Sequence, residues 1–558
     1  MKKIAIIAVI LIAITGVIYF LKSDPHYDAV LPGPASTHKI ILMPLDSRPP
    51  CTKLVADNAR TAGITVITPP GQYMDFYTQP GDIGSLQSWL ATELKSSQAE
   101  EAIVSIDQLL YGGLIASRNK SISDEDINHL VAYLRELHAN NPAVRLYAFA
   151  ILPRMTPPDY IEAYEDRQQL MEWSRRFHQY FCEPTAENYE LLYAAEQGLS
   201  PAHLQAYQEV YERNLRLNCR LAWLMQEGVL HQLVLAQDDG EEYSLPNLKL
   251  TEFMSYVQEQ GITTDRLAVI HGADEVALSI LTNITTNKVY STDKNRQKSF
   301  KVYLAYNSED AAEEIMPYMA ISSRETALER LAFTHSQVVT SVNEADYILF
   351  ISCGSKGNMN NRRSSIEWLR KQADQGKHIA LVDLSQKFSA TEALFPLMLK
   401  ENYPVNSLIA YAGWNTASNS IGTAIAQAEI YLSSLETASD KDTAVYYNLH
   451  NLNNRFLEDY YYLKDTIDVV NISLKKKGYA NVYDLDLNHN YVWSADMLRS
   501  ALNQRLSQYK YSHSFKAPFR LPETNTTYAV TDISMDAFFP WPRTFEINLD
   551  TALKIEKK

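Results

Sequence analysis

Short apolar runs alternate with longer amphipathic stretches along most of the chain. Ile40–Leu45, Ile64–Ile67, Ala102–Ile106, Arg145–Ile151, Gln232–Ala236 and Leu267–Ile270 are largely apolar on both faces. That is the pattern of parallel strands covered by helices on each side. Between them, Ile83–Leu94 and Asp124–His138 repeat apolar residues at helical spacing. A helical excursion from Tyr160 to Gly228, rich in Glu, Gln, Tyr and Arg, interrupts the series. A second alternation follows at Lys301–Tyr306, Tyr347–Ser352, His378–Leu384 and Ser407–Ala412, with helices expected at Asp310–Tyr318, Ser364–Gln375 and Ser389–Lys400. From Asp440 the pattern is helical as far as Lys477 and mixed beyond it.

Such alternation predicts an α/β protein built on parallel sheet or barrel. A chain of 558 residues suggests two or three domains. The runs outnumber the strands of one plain eightfold barrel, about eight. The expected layout is a barrel-like parallel (β/α) domain over 39–299, carrying the helical insertion 160–228. A smaller flavodoxin-like α/β domain over 300–439 and a helical and mixed C-terminal region over 440–558 complete it. One extended α/β assembly is the alternative.

The first residues change the picture. Met1-Lys2-Lys3 precede an unbroken apolar-to-neutral run from Ile4 to Leu21, followed by Lys22, Ser23, Asp24 and Pro25. A helix of that length spans about 27 Å at ~1.5 Å per residue, close to the hydrocarbon thickness of a bilayer. A cleaved signal would have a shorter apolar region followed by a small-x-small site, a poor match here. Residues 1–27 are therefore expected to anchor the chain in a membrane, or to release it as a secreted protein if they are cleaved. Lys2 and Lys3 keep the N-terminus inside, so the bulk is expected outside the cytoplasm. Residues 28–38, with Pro32 and Pro34, read as a linker.

Composition narrows the partners. The net charge of −15 and pI near 5.4 argue against a phosphate backbone as ligand, so nucleic acid is not expected. The four cysteines, Cys51, Cys182, Cys219 and Cys353, form no CxxC pair, although an oxidising exterior would permit Cys182–Cys219. Neither GxxxxGK[ST] nor GxGxxG follows a strand, HExxH is absent, and Ser47, Ser105 and Ser352 lack a GxSxG elbow. No cofactor and no zinc site are expected.

In parallel α/β folds the reacting groups gather at the carboxyl ends of strands. Here those ends carry Asp46-Ser47-Arg48, Asp107, Pro153-Arg154, Gln237-Asp238-Asp239, His271-Gly272-Ala273-Asp274-Glu275, Asp383, and Trp414-Asn415 with Asn419 beyond. A single Asp there commonly caps a helix. Capping explains poorly why two ends carry adjacent acids. Like charges held close split their pKa values, so an acid and a base coexist near neutrality. Glycoside hydrolysis needs such a pair.

Gln237-Asp238-Asp239 resembles the Asp-Asp pair of barrel enzymes that remove O-linked N-acetylglucosamine. His271-Gly272-Ala273-Asp274-Glu275 is similar to the His-x-Gly-Gly-Asp-Glu motif of β-hexosaminidases, one residue shorter and with Ala273 replacing Gly. A broader resemblance rests on five ordered motifs. These are Pro44-Leu45-Asp46-Ser47-Arg48-Pro49, Gln237-Asp238-Asp239, Gly272-Ala273-Asp274-Glu275, Tyr411-Ala412-Gly413-Trp414-Asn415-Thr416 and Trp541-Pro542-Arg543. Together they resemble the bacterial family catalogued as domain of unknown function four-one-two-seven, which implies that they belong to one shared site or scaffold.

The leading expectation is a glycosidase acting on N-acetylhexosamine-containing envelope glycans. Asp238 would orient or stabilise, Asp239 would be acid and base, and Asp274 and Glu275 would bind hydroxyls or share catalysis. Asp46, Arg48, Asp107, Arg154, Gln237, Trp414, Asn415 and Asn419 would line the pocket. Each has an ordinary alternative. Arg48 pairs equally well with Asp46, Trp414 suits a core, Asn415 or Asn419 suits a helix cap, and His271 suits a hydrogen-bonded core. A metal-dependent hydrolase or isomerase using Asp46, Asp107, Asp238, Asp239, His271 and Asp274 is the second class, through oxygen ligands for Mg²⁺, Mn²⁺ or Ca²⁺. A non-catalytic protein binding a glycan or a partner is the third.

Overall fold

The computed structural model describes residues 38–119, 121–238, 240–289, 299–354, 359–438, 440–523 and 525–557. The apolar run Ile4–Leu21 lies outside them, as does Asp239. No described helix is long and apolar enough to cross a membrane.

Six of the apolar runs form one parallel sheet: β1 (Lys39–Met43), β2 (Thr65–Ile67), β3 (Glu101–Ser105), β4 (Arg145–Leu152), β5 (Gln232–Gln237) and β6 (Leu267–His271). Their order is β2-β1-β3-β4-β5-β6. The expected barrel closure is not seen, because β2 and β6 are open edges rather than partners. Alternation along each strand explains why an open sheet suffices. Ile41, Met43, Ala102, Val104, Ala148 and Leu235 face one core, closed by helices such as Ile83–Ser96, Asp124–Asn140 and Pro201–Gln226. Ile40, Leu42, Ile103, Phe149 and Val234 face a second core on the other side. Both faces are covered, so nothing drives the edges together.

The second sheet contains β7 (Lys301–Tyr306), β8 (Gln337–Val338), β9 (Tyr347–Gly354), β10 (His378–Ser385) and β11 (Ala410–Ala412). Its order is β11-β10-β9-β7-β8, also parallel. In both sheets the first strand lies between the second and the third, the order of doubly wound folds. The two-residue β8 escaped the sequence pattern. So did the antiparallel C-terminal sheet of β12 (Phe519–Leu521), β13 (Thr526–Phe538) and β14 (Asn548–Lys557). The excursion after β4 consists of three helices, Tyr164–Cys182, Ala186–Glu196 and Pro201–Gln226, with a small core of its own around Trp173 and Tyr207. All four cysteines are free thiols.

The second core of the first sheet is continuous with the core of the second sheet. Helix Ala417–Thr437 runs through this junction, buried from Ala417 to Leu435. Its small residues admit close neighbours. A Cβ at Gly422 would meet Glu275 Cγ at 2.9 Å. Glu275 itself is buried and pairs with Arg330 of helix Ser323–Phe333, whose guanidinium also donates to the His271 carbonyl.

Further along the same helix, Glu429 accepts hydrogen bonds from Ser336 (2.6 Å), Tyr347 (3.1 Å) and Thr334 (3.2 Å), while its second oxygen has no partner. Burial raises this carboxyl from 4.5 to about 7 despite those donors. The folded state therefore holds a proton that the unfolded state releases, and stability contributed by the neutral acid is lost as pH rises from 4.5 to about 7. Denaturant titrations at pH 5 and pH 7.5 check this. Glu429→Gln is expected to remove up to roughly 2 kcal/mol of the fall between those pH values. An unchanged pH dependence would mean that Glu429 stays ionised.

Candidate functional site

The loop after β1 turns sharply at Asp46-Ser47-Arg48 and leads into helix Lys53–Thr61. This is the switch point of the first sheet, where successive connections leave β1 in opposite directions. Arg48 folds back over Asp46, with Nε 3.0 Å from each carboxylate oxygen and Nη2 2.6 Å from Oδ2. The same Nη2 donates to Asp274 Oδ1 after β6, again at 2.6 Å. The other Asp274 oxygen accepts a 3.0 Å hydrogen bond from Asn415 Nδ2, in the loop after β11. One chain of charge-assisted bonds thus joins the carboxyl ends of strands from both sheets.

Each member is held from behind. Asn415 has the left-handed φ of +46°, which Asn tolerates better than most residues. Its loop is pinned by the Gly413 N–H donating to Asp459 (2.8 Å) and by Ser420 Oγ donating to the Trp414 carbonyl (2.6 Å). A Cβ at Gly413 would lie 2.6 Å from the Asp383 carbonyl oxygen, so no larger residue fits there without movement. Asn419 accepts from the Ala273 N–H at 3.4 Å and steadies the loop carrying Asp274. The Trp541 ring covers the Arg48 guanidinium at 5.2 Å and donates from its indole nitrogen to Ser47 Oγ at 2.8 Å. Arg543, paired with Glu546, lies 4.9 Å from the same ring.

Around this floor stand partly exposed groups: Ser47, Arg118, Arg154, Asp238 and Asn415. Asp238 pairs with Arg118 of helix Leu114–Asn119. Burial alone would raise the Asp238 pKa, but Arg118 and Arg154 outweigh it and hold the carboxylate below its usual range. Asp274 moves the other way. Its burial, with Asp46 and Asp238 nearby, exceeds the attraction of Arg48 and raises it. Asp107 is buried beneath, accepts the Ile151 N–H at 2.8 Å and is pushed up to about 6, chiefly by burial. Asp75, after β2, accepts the Ser47 N–H at 2.9 Å through one oxygen, while the other is buried without a partner. Burial and Asp46 raise it well above the ordinary carboxyl range.

The expected pocket residues therefore separate. Asp46, Arg48, Asp107, Arg154, Asp238, Asp274 and Asn415 belong to this region. Glu275 is committed to Arg330 at the sheet junction, and Trp414 is a core residue donating to Thr423 at 3.3 Å. Gln237 points its amide at Asn247. Thr416, not Asn415 or Asn419, caps helix Ala417–Thr437. His271 bonds Glu329 at 2.8 Å. Asp75 and Arg118 were missed because they lie well past the strands that precede them. Trp541 was visible only as part of a motif.

Asp46, Cys51 and Asp274 place ligand atoms within 4.8 Å of one another, the only such trio among the described residues. Their chemistry fits a cation poorly. Arg48 already donates to both carboxylates. Burial, with Asp46 close by, pushes the Cys51 thiol well above its ordinary value, so a thiolate is not on offer. Burial likewise opposes the charge on Arg48, but Asp274 and Asp46 outweigh it and keep the guanidinium protonated.

A family model described as protein of unknown function (DUF4127) matches residues 40–550. No curated protein and no solved structure matches the chain, so the local likeness to N-acetylhexosamine-cleaving enzymes has no counterpart there.

Removing the central cation should be costly. Arg48→Met leaves Asp46 and Asp274 buried without their counter-charge, with an expected loss of about 3–5 kcal/mol at pH 7 in denaturant titrations. Adding Asp274→Asn should recover part of it. A loss below about 1 kcal/mol would mean that other groups neutralise the pair.

Proposed function

The chain belongs to the DUF4127 family, and from its site we propose that it hydrolyses a glycan with Asp274 and Asp238 as the reacting carboxyl groups. The observation that supports this reading is the opposite protonation bias of two carboxyls that follow neighbouring strands. Asp238 is held below the ordinary carboxylate range by Arg118 and Arg154, and Asp274 is raised above it by burial. Environments that push two carboxyls apart in this way assign an acid and a base.

In this reading Asp274 donates its proton to the departing glycosidic oxygen. Asp238 stabilises the positive charge developing on the sugar ring, or orients a 2-acetamido group that attacks from within the substrate; water then adds at the anomeric carbon, completing the hydrolysis and returning a proton to Asp274. Both Asp274 oxygens accept hydrogen bonds in the resting site, Oδ1 from Arg48 and Oδ2 from Asn415, so substrate displaces the Asn415 contact before Oδ2 carries and donates the proton. Arg118 and Arg154, partly exposed beside Asp238, hold sugar hydroxyls. Residues 1–27 would tether the enzyme to the membrane, with an envelope glycan within reach outside the cytoplasm.

The full chain should be assayed against aryl N-acetylhexosaminides and envelope glycans, with and without EDTA. Turnover should survive EDTA and fall at least ~100-fold in both Asp274→Asn and Asp238→Asn, the range of general acid–base effects. Wild-type kcat/KM should decline as pH rises through the Asp274 titration, and residual activity of Asp274→Asn should lack that limb. Loss of turnover with EDTA would favour a metal-dependent hydrolase. Turnover indifferent to both substitutions would overturn the assignment.

A further inference from the structure

Behind the Asn415 loop the chain winds as a π-helix over Phe456–Thr466, 11 residues of a form that mostly occurs as single-turn bulges, often at functional sites. The helices on either side, Lys441–Arg455 and Ile467–Lys476, are ordinary α. Hydrogen bonds in a π-helix span five residues, so positions five apart lie over one another. In an α-helix the same two positions would point about 140° apart. Asp459 and Lys464 are such a pair, and both reach Gly413. The Gly413 N–H donates to Asp459 Oδ2 at 2.8 Å, and a Cβ at Gly413 would lie 2.8 Å from Lys464 Nζ. Lys464 donates to the Asp383 carbonyl beside that glycine. Arg455 Nη1 donates to Asp459 Oδ1 at 2.8 Å and fixes the carboxylate on its other side. The same helix holds the segment that covers Arg48, since the Tyr462 hydroxyl donates to the Thr544 carbonyl just beyond Trp541.

We propose that Asp459 is a positioning residue for Asp274: through Gly413 it keeps Asn415 on the Oδ2 of that acid in the resting site. This rests on Asp274 being the reacting acid. Asn415 Nδ2 donates to Asp274 Oδ2 at 3.0 Å, and a hydrogen bond to the charged form of a carboxyl lowers its proton affinity. The hold therefore offsets part of the rise that burial, Asp46 and Asp238 impose on Asp274, and substrate restores the full proton affinity when it displaces Asn415. The charged groups facing Asp274 are Arg48, Asp46 and Asp238, with the Cys51 thiol 4.0 Å away. Those facing Asp459 are Arg455, Glu458 and Lys464, with Tyr411 from β11, while Asp57 and Asp383 stand behind Arg455 and Lys464. Burial raises Asp459 to about 7, but a carboxyl accepts an amide in either protonation state, so the hold persists across that range.

Carbon-13 NMR of the Asp274 carboxyl against pH, in the full chain in detergent and assigned by its loss in Asp274→Asn, reads this without substrate. Asp459→Ala should move the titration upward by about one pH unit. A purely electrostatic effect would have the opposite sign, because removing a negative charge lowers the proton affinity of another acid. Asp459→Asn keeps an acceptor for the Gly413 N–H and should stay within ~0.3 of the unaltered chain. Asn415→Ala should move the titration as far as Asp459→Ala does, and the two together no further. Tyr462→Phe, which loosens the same helix at its other contact, should leave it in place. Where turnover is measured, the falling limb of kcat/KM moves with the titration. If Asp459→Ala does not fold, Asp459→Ser, too short to reach the amide, gives the same reading. The inference is overturned if the titration is unmoved or lowered, if the two substitutions add, or if Tyr462→Phe moves it equally. An inert chain would sink the glycosidase reading and leave the titration to decide this one.

Discussion

Everything in the candidate site depends on a single buried cation. Arg48 is shared between Asp46, two residues away, and Asp274, more than two hundred residues later. An arginine can do this because its planar fork presents several donors in fixed directions, whereas a lysine would offer one mobile point charge. Taking such groups out of water is costly, and the attraction between them offsets that cost only if every lone pair and proton is placed. The surroundings meet that condition for Arg48. Trp541 covers the guanidinium face, Ser47 is fixed by Trp541 and Asp75, and Asn415 occupies the free side of Asp274.

That requirement explains the positions of the elements around the site. Asp46 and Arg48 come from the first strand of one sheet, Asn415 from the end of the last strand of the other, and Trp541 from beyond β13. The cluster can assemble only when both sheets and the C-terminal segment are in place. Helix Ala417–Thr437 sets the distance between the sheets, and its glycine and alanine positions let the backbone come close to Glu275. Glu275 and Arg330 brace the junction, while Asp274, one residue earlier, meets Arg48 and Asn415. Adjacent acids have different roles because successive residues leave the strand end in different directions. The same argument separates Asn415, which meets Asp274, from Trp414, which is spent on the core.

Much of the fold was legible in the sequence because apolar runs of strand length are hard to bury in any other way. Ten of the eleven parallel strands follow from the pattern alone, as does the helical excursion after β4. Closure was not legible. An open sheet and a barrel with both faces covered share one hydrophobic pattern, and only the pairing of β2 and β6 separates them. Strands such as β8, two residues long, carry no periodicity at all. The strand-end rule found Asp46, Arg48, Asp107, Arg154, Asp238, Asp274 and Asn415. It could not find Asp75 or Arg118, because loop residues far from a strand end are placed by tertiary contacts. It also credited Glu275 and Trp414 with exposure that the packing denies them.

The electrostatics separate two ways of using buried carboxyls. Glu429 is raised to about 7 because burial wins over three neutral donors; such a group is a structural acid. Asp274 has a cation within hydrogen-bond distance and is still raised, because Asp46 draws on the same guanidinium and Asp238 adds a further negative charge. Its proton affinity is therefore set by how completely Asp46 and Asp238 are neutralised by other partners. A ligand that draws Arg118 away from Asp238 would increase the field at Asp274 and strengthen its hold on the proton. A ligand that binds Asp238 directly would relax it. Asp274 thus keeps a raised proton affinity beside a cation because its neighbours share too few cations to satisfy all of them at once.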